Sequence, residues 1–396
     1  MLQLLSDAEI HAPQPLGRRH LLIAGGRVAW MGSERPALPP GLGVVEHDLG
    51  GARVVPGLVD GHAHVTGGGG EAGPETRVPP VALSRFTRAG ITSVVGLLGT
   101  DDVTRTTGDL LAATRGLAAE GLSAWCLTGG YHLPPTTLTG SVRGDVVHLE
   151  RVIGVGEVAL SDHRSSQPTL DELLRVAADA HVAGLMTGKA GIAHLHLGDG
   201  ERGLALVRAA LETSEIPARV FHPTHVNRRP ALLEEAFELA GRGCTIDLTA
   251  FPVADGEQAL RAEDALERYL AADLPPERIT ISSDGGGCLP CFDDEGRVAS
   301  MDVARPGALA ECLASLLARG HEPERVLRPF TSNVADHLRL AGKGRVAVGA
   351  DADLVVLGPD HRPRDVMAGG RWHVRDGEAV VRGTFEAESD SARDDA

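Results

Sequence analysis

The chain reads as an α/β protein: a (β/α)8 TIM-like barrel with a small β-sandwich domain built from both termini. Eight apolar, β-rich runs alternate with segments whose apolar residues recur at three and four spacing, the pattern of parallel strands joined by crossover helices. Short strands and turns cluster at both ends of the sequence. A length of 396 residues with 42% apolar content suits one large core beside a smaller one.

Residues 1–56 read as the N-terminal part of the small domain, with strands at 21–24, 27–31, 44–45 and 53–55 set apart by turns such as Gly25-Gly26. The barrel is expected over 57–345. Its strands fall at 54–59, 91–98, 123–128, 152–161, 192–197, 219–224, 244–249 and 279–283. Helices between them include 80–88, 108–119, 170–183, 202–211, 230–242 and 257–271. Residues 346–386 return to strand texture at 352–357, 372–374 and 377–381, completing the small domain. The acidic, Ser-rich stretch 387–396 reads as a disordered tail.

Net charge is -16, which speaks against nucleic acid or an anionic membrane as partner, because no basic field exists to release counterions. No apolar run approaches the roughly 20 residues of a membrane span. The stretch from Met1 to Asp7 lacks the regions of a signal peptide, so a cytoplasmic location is expected. Five cysteines are too few for a disulfide framework, and Cys288 and Cys291 form a C-x-x-C without the second pair that a structural zinc site needs. Free thiols are expected.

In barrels of this kind the functional groups lie at the C-terminal ends of the strands. There the sequence places His62 and His64 after strand one, Glu157 on strand four, His196 at the end of strand five, His225 after strand six and Asp284 after strand eight. An isolated H-x-H is unspecific; four histidines and two carboxylates together are not. Such nitrogen and oxygen donors suit two divalent metal ions, Zn2+ first among them, with a water in an open position. Glu157 sits among apolar neighbours, where an unpaired charge is costly. His194 and His222 read as supporting or packing residues.

The start Asp60-Gly61-His62-Ala63-His64, the phrase Ser283-Asp284-Gly285 and the closing Gly349-Ala350-Asp351-Ala352-Asp353-Leu354 resemble the amidohydrolase superfamily. Longer phrases resemble its bacterial isoaspartyl dipeptidases. They begin at Gly67-Gly68-Gly69-Gly70-Glu71, Ser93-Val94-Val95-Gly96, Ser161-Asp162-His163-Arg164, Pro223-Thr224-His225-Val226 and Phe292-Asp293-Asp294-Glu295. The resemblance runs from about residue 20 to residue 386.

It implies that His62, His64 and Asp284 hold one metal, that His196 and His225 hold the other, and that a carboxylate from strand four bridges them. The family's bridge is a carboxylated lysine, whereas this chain has Glu157 there. Its two lysines, Lys189 and Lys343, lie before strand five and beyond the barrel. The implied reaction is hydrolysis of the β-aspartyl isopeptide bond of a small dipeptide by a metal-bridging hydroxide. Asp284 would act as proton carrier, and Tyr131 as donor to the developing oxyanion. Arg164 and Arg228 would clamp the C-terminal carboxylate and Glu71 the α-ammonium, with Gly69 and Thr100 near the α-carboxylate. Cys288 stands where the family has a substrate-contacting serine. The resemblance also implies a homo-oligomer, an octamer in that family. An N-acyl amino acid deacylase would share the metals but not the Glu71, Arg164 and Arg228 set. A noncatalytic scaffold would be expected to lose ligands.

Overall fold

A computed structural model describes residues 2–39, 41–253, 257–292 and 298–386. The N-terminal residues form β1 (Leu2–His11), β2 (Pro15–Ala24), β3 (Arg27–Gly32), β4 (Val44–Asp48) and β5 (Arg53–Pro56). β1 pairs antiparallel with β2 and parallel with β4 and β5, while β3 extends the antiparallel edge. β1 was not expected from the sequence. Its middle, Ser6-Asp7, breaks register against β2, and Asp7 has φ 53°, so the strand carries a bulge where strand periodicity should be clearest.

The expected strand at 54–59 is two strands in two sheets. β5 ends at Pro56, and β6 (Leu58–Ala63) starts after Gly57, whose position admits no side chain because a Cβ there would lie 2.1 Å from Thr92 Oγ1. His62 therefore lies within β6 rather than past a strand end. β6 is followed by α1 (Leu83–Arg88), β7 (Ile91–Gly96), α2 (Thr107–Ala119), β8 (Ser123–Thr128), α3 (Val142–His148), β9 (Val152–Leu160), α4 (Leu170–Thr187), β10 (Ile192–Leu197), α5 (Ala205–Thr213) and β11 (Phe221–Thr224). Strands β6 to β11 form a six-stranded parallel sheet in chain order. After α6 (Pro230–Gly241), β12 (Ile246–Thr249) pairs in parallel across α7 (Ala262–Ala271) with β13 (Ile279–Ser282).

β12 packs beside β11, and β13 beside β6. A parallel bridge joins Ala63 to Gly285, with Asp284 N donating to His62 O at 3.1 Å and His64 N to Gly285 O at 2.9 Å. The other seven expected parallel strands are present, trimmed by no more than two residues at an end. They read as near-continuous apolar runs because β6, β7, β9, β10 and β11 are buried along their whole length.

Capping boxes set two helix starts: Thr106 with Asp109 for α2, and Thr169 with Glu172 for α4, which ends at the left-handed Gly188. α1 starts at Leu83 and α7 at Ala262, later than their apolar patterns predicted. α3 was unforeseen. Beyond β13 come the hairpin β14 (Cys288–Phe292) and β15 (Val298–Val303), then α8 (Gly307–Ala318), α9 (Pro323–Val326) and α10 (Ser332–His337).

The chain finally returns through β16 (Leu354–Leu357), β17 (Pro363–Ala368), β18 (Arg371–Arg375) and β19 (Glu378–Ala379). β16 pairs with β5, so both ends share one nine-stranded sheet. Lys343 Nζ ties that sheet to β8 by donating to Asp353 Oδ2 at 2.7 Å and Ser123 Oγ at 2.6 Å. The expected tail 387–396 and residues 293–297 of the matching phrase lie outside the described residues. Among the described residues no helix is long and apolar enough to cross a membrane. Cys126, Cys244, Cys288 and Cys312 are free thiols, and the Cys291 side chain lies outside the described residues.

Candidate metal centre

β6 brings His62, and the turn after it His64, to the same end of the parallel strands as Glu157 of β9, His196 of β10, His225 after β11 and Asp284 after β13. All six side chains are buried. Asp284 Oδ1 lies 3.2 Å from Nε2 of both His62 and His64. Glu157 sits between the two histidine pairs. Its Oε1 is 3.3 Å from His64 Nε2, and its Oε2 is 3.6, 3.0 and 3.4 Å from His62 Nε2, His196 Nδ1 and His225 Nε2.

The backbone is bent to aim these groups. His225 and Asp284 both occupy the left-handed region, at φ 60° and 54°, which non-glycine residues adopt mainly where function or surrounding structure compels it. Asn227 fixes the turn after β11, its Nδ2 donating to Thr249 O at 3.0 Å and Leu260 O at 2.8 Å. Asp60 ties β6 to the chain after β13, accepting from Ser283 N at 3.1 Å. Burial pushes the Asp60 carboxyl up to about 6 even so.

Burial also disfavours charge at Glu157 and Asp284, but the surrounding imidazoles outweigh it and hold both carboxyls well below their usual range. The same carboxylates overcome burial at His64, raising it to about 10, and raise His62. His225 is carried down by burial to about 3.

Donor atoms within 4.8 Å of one another form two groups here, His62 with His64 and Asp284, and His62 with Glu157 and His225. His62 Nε2 and Asp284 Oδ1 are buried without a hydrogen-bond partner despite their close approach. Converging lone pairs on orphaned buried atoms fit a divalent cation, and the mixed imidazole and carboxylate set fits a transition metal. His196 belongs to neither group. It faces Glu157 with Nδ1 and Asp162 Oδ2, at 2.9 Å, with Nε2. Neither lysine approaches the centre: Lys189 Nζ donates to Val146 O and Leu149 O at 2.6 and 2.7 Å, and Lys343 is bound as described above.

The residues expected to recognise substrate gather at the rim. Glu71 Oε1 lies 3.2 Å from Arg164 Nη1, and the guanidinium stands 5.5 Å over the Tyr131 ring. Tyr131 OH is 2.9 Å from His196 Nδ1, and burial raises the phenol well above its usual range, so it keeps its proton. Arg228 ends the short 3-10 turn Val226–Arg228, half-buried, its Nε without a hydrogen-bond partner. Gly69 takes φ 72°, and a Cβ there would meet Thr76 O at 2.4 Å, so the loop that delivers Glu71 requires glycine. Cys288 is half-buried beside Gly69, and burial, with Glu71 adding to it, pushes its thiol up to about 11. Thr100 is half-buried past the end of β7.

Several contributors escaped the sequence reading. Asp162, fully buried, accepts Arg164 Nε at 3.0 Å and Nη2 at 2.8 Å as well as facing His196. Burial raises its carboxyl, but His196 and Arg164 outweigh that and hold it far below its usual range. Its place in the phrase Ser161-Asp162-His163-Arg164 was the available signal. Arg105 donates to Gly69 O at 3.2 Å and Val78 O at 3.0 Å, bracing the glycine loop. Thr249 Oγ1 contacts His225 Nδ1 at 2.7 Å, orienting Nε2 toward Glu157. A cavity of about 760 Å³ beside α1 and α8 reaches Gly286 but none of the candidate ligands.

Residues 53–373 match the model of the amidohydrolase family. The expected resemblance to isoaspartyl dipeptidases is borne out by a solved structure of a β-aspartyl dipeptidase from Fervidobacterium islandicum AW-1 in complex with β-Asp-Leu dipeptide. It has a TM-score of 0.90 and 38% identity, covering 98% of this chain and 100% of that one. By sequence, an imidazolonepropionase of Paracoccus denitrificans is 26% identical over 85% of this chain and 86% of its own length. An adenine deaminase of Methanoregula boonei is 26% identical over 80% of this chain but only 49% of its own, so the chain spans about half the length of that relative.

Proposed function

Because this chain belongs to the amidohydrolase family, we propose that it is a metal-dependent dipeptidase that cleaves the β-aspartyl (isoaspartyl) isopeptide bond. In this reading the eight parallel strands close into a (β/α)8 barrel over 57–345. Residues 1–56 and 346–386 fold as a β-sandwich beside it, and the enzyme works as a cytoplasmic homo-oligomer.

The observation that carries the proposal is the Glu71 and Arg164 pair, opposite charges 3.2 Å apart at the rim of the ligand cluster. A β-aspartyl dipeptide is itself a zwitterion, with an α-ammonium and two carboxylates. Glu71 Oε2, buried without a hydrogen-bond partner, would take the ammonium. Gly69 and Thr100 would lie along the α-carboxylate, Arg164 and Arg228 would clamp the C-terminal carboxylate, and Cys288 would line the pocket. The β-Asp-Leu held by the Fervidobacterium enzyme supports this substrate class.

His62, His64 and Asp284 would hold one cation, His196 and His225 a second, and Glu157 both. Bound zinc ions would supply Lewis acidity toward the scissile carbonyl and a water of lowered pKa. Asp284 would take the proton of that water on its carboxylate and return it to the departing amine. Tyr131 would donate its hydroxyl to the carbonyl oxygen as charge develops. Asp162, bonded to His196 Nε2, would keep Nδ1 turned inward as the ligand atom. An N-acyl amino acid deacylase would leave Glu71 without an ammonium to bind.

The test is hydrolysis of β-Asp-Leu, α-Asp-Leu and N-acetyl-leucine with metal content measured alongside. Selective cleavage of β-Asp-Leu is expected. Cleavage of N-acetyl-leucine with β-Asp-Leu untouched would overturn the proposal.

A further inference from the structure

Behind His62 runs a line of polar groups that dipeptide binding does not use. His62 Nδ1 lies 2.8 Å from His194 Nε2, and His194 Nδ1 lies 2.9 Å from His222 Nδ1. His222 Nε2 is 3.3 Å from Thr280 Oγ1, which donates to Asp247 Oδ1 at 2.6 Å. Every one of these side chains is buried. Strand register builds the line: His194 pairs with His222 across β10 and β11, and Asp247 with Thr280 across β12 and β13.

Its direction is fixed from the far end. Asp247 Oδ2 also accepts the hydroxyls of Thr224 at 2.8 Å and Ser282 at 2.6 Å; burial pushes the carboxyl up, but the three hydroxyl donors around it oppose that and favour the carboxylate, which can only accept. Thr280 must therefore give its single proton away from His222; its other near partner, Ile246 O at 3.3 Å, is likewise an acceptor. Toward His222 the hydroxyl can only accept, so Nε2 of His222 carries the hydrogen. A buried imidazole that meets no carboxylate stays neutral. His222 Nδ1 then accepts from His194 Nδ1, and His194 Nε2 accepts from His62 Nδ1. With His62 Nδ1 committed to donating, Nε2, which faces Asp284 and belongs to both donor groups, is the nitrogen left to offer a lone pair to a cation.

We propose that His194, His222, Thr280 and Asp247 form a tautomer-setting relay that presents the Nε2 lone pair of His62 to a divalent cation. Thr280 and Asp247 are thereby positioning residues for a site they never touch. The inference rests on the metal-centre reading above and is independent of the substrate. A ligand histidine ordinarily passes its second N–H straight to a carboxylate or carbonyl; here two imidazoles and a hydroxyl transmit the same constraint.

Thr280→Val removes the hydroxyl at nearly constant shape, and Thr280→Ser retains it. Zinc affinity of the metal-stripped full chain, read by competition with a chromogenic chelator, should fall by at least about tenfold in Thr280→Val, the lower end for outer-shell partners of metal ligands. Thr280→Ser should stay close to wild type. In zinc-loaded wild type, 15N imidazole spectra should place the His222 proton on Nε2. Wild-type zinc affinity in a folded Thr280→Val, or a His222 proton on Nδ1, would overturn the relay, and the spectrum decides even if the variant does not fold. Failure of the dipeptidase reading would appear instead as absent β-Asp-Leu hydrolysis with zinc affinity and tautomers as described.

Discussion

Replacing Arg228 with methionine should separate recognition from folding, because the two rim arginines are held differently. Arg164 already donates to two carboxylates, Asp162 and Glu71, whose side chains are 1% and 10% exposed. Arg228 has no ion pair among the described residues, and its Nε is buried without a partner. Arg228→Met therefore deletes a waiting cation without stranding an anion, and should cost about 1 kcal/mol of stability or less. Losing one partner of a charge-assisted pair in a desolvated site costs about 2 to 5 kcal/mol. That corresponds to roughly 30- to 5,000-fold in kcat/KM for β-Asp-Leu. The C-terminal amide of the same dipeptide lacks the charge, so the variant should process it within about fivefold of wild type. Arg164→Met should behave otherwise: with Asp162 and Glu71 left uncompensated it should lose about 3 to 5 kcal/mol of stability and turn over neither substrate. Steady-state kinetics on both substrates, beside thermal unfolding, make the test. Equal losses of Arg228→Met on acid and amide would refute the clamp and make Arg228 structural.

Two further outcomes follow from the centre. Chelation should abolish activity, and His62→Ala should lower bound metal at least as much as His225→Ala because His62 serves both donor groups; full activity in a rigorously metal-free preparation would contradict this. The folded-state pKa of Asp162 is depressed far below the ordinary carboxylate pKa of about 3.9, so its stabilising contribution is full above that value, begins to fade below it and is lost only as pH falls through the folded-state pKa. Asp162→Asn should therefore be less stable than wild type at pH 7, by about 3 kcal/mol, with the difference shrinking toward pH 3 in thermal unfolding. A difference constant with pH would contradict the assignment.

Much of this was legible in the sequence because the parallel strands are buried on both faces and stand out as apolar runs. The same property hid the break at Gly57: Val54-Val55-Pro56 and Leu58-Val59 form one apolar run although they serve two sheets. The helix Val142–His148 was missed because its seven residues follow a Pro-, Thr- and Gly-rich stretch and depend on a Ser141 cap rather than on periodicity. The ligand set could be read one residue at a time, since each member lies in a strand or just after one. Contacts between distant residues could not. Nothing local in the sequence announces that Asp162 meets His196 or that His194 meets His62. The spacing of His194 and His196 at alternate strand positions was a clue, but it gains meaning only once β10 is registered against β11 and His222. The Glu71 and Arg164 pair likewise joins the glycine loop to the turn after β9 across 93 residues of chain.

Glu157 is the carboxylate that lies between the two histidine pairs, where the resembled family carries a carboxylated lysine. Apo protein should be reconstituted with zinc in bicarbonate-free and bicarbonate-supplemented buffer, with zinc per chain and β-Asp-Leu hydrolysis measured in each. Equal zinc uptake and equal activity in both are predicted, with Glu157→Ala failing to retain the metal because the cations lose the anion that offsets their repulsion. Wild-type reconstitution that requires bicarbonate would contradict Glu157 as the bridge and point to a carboxylated lysine instead.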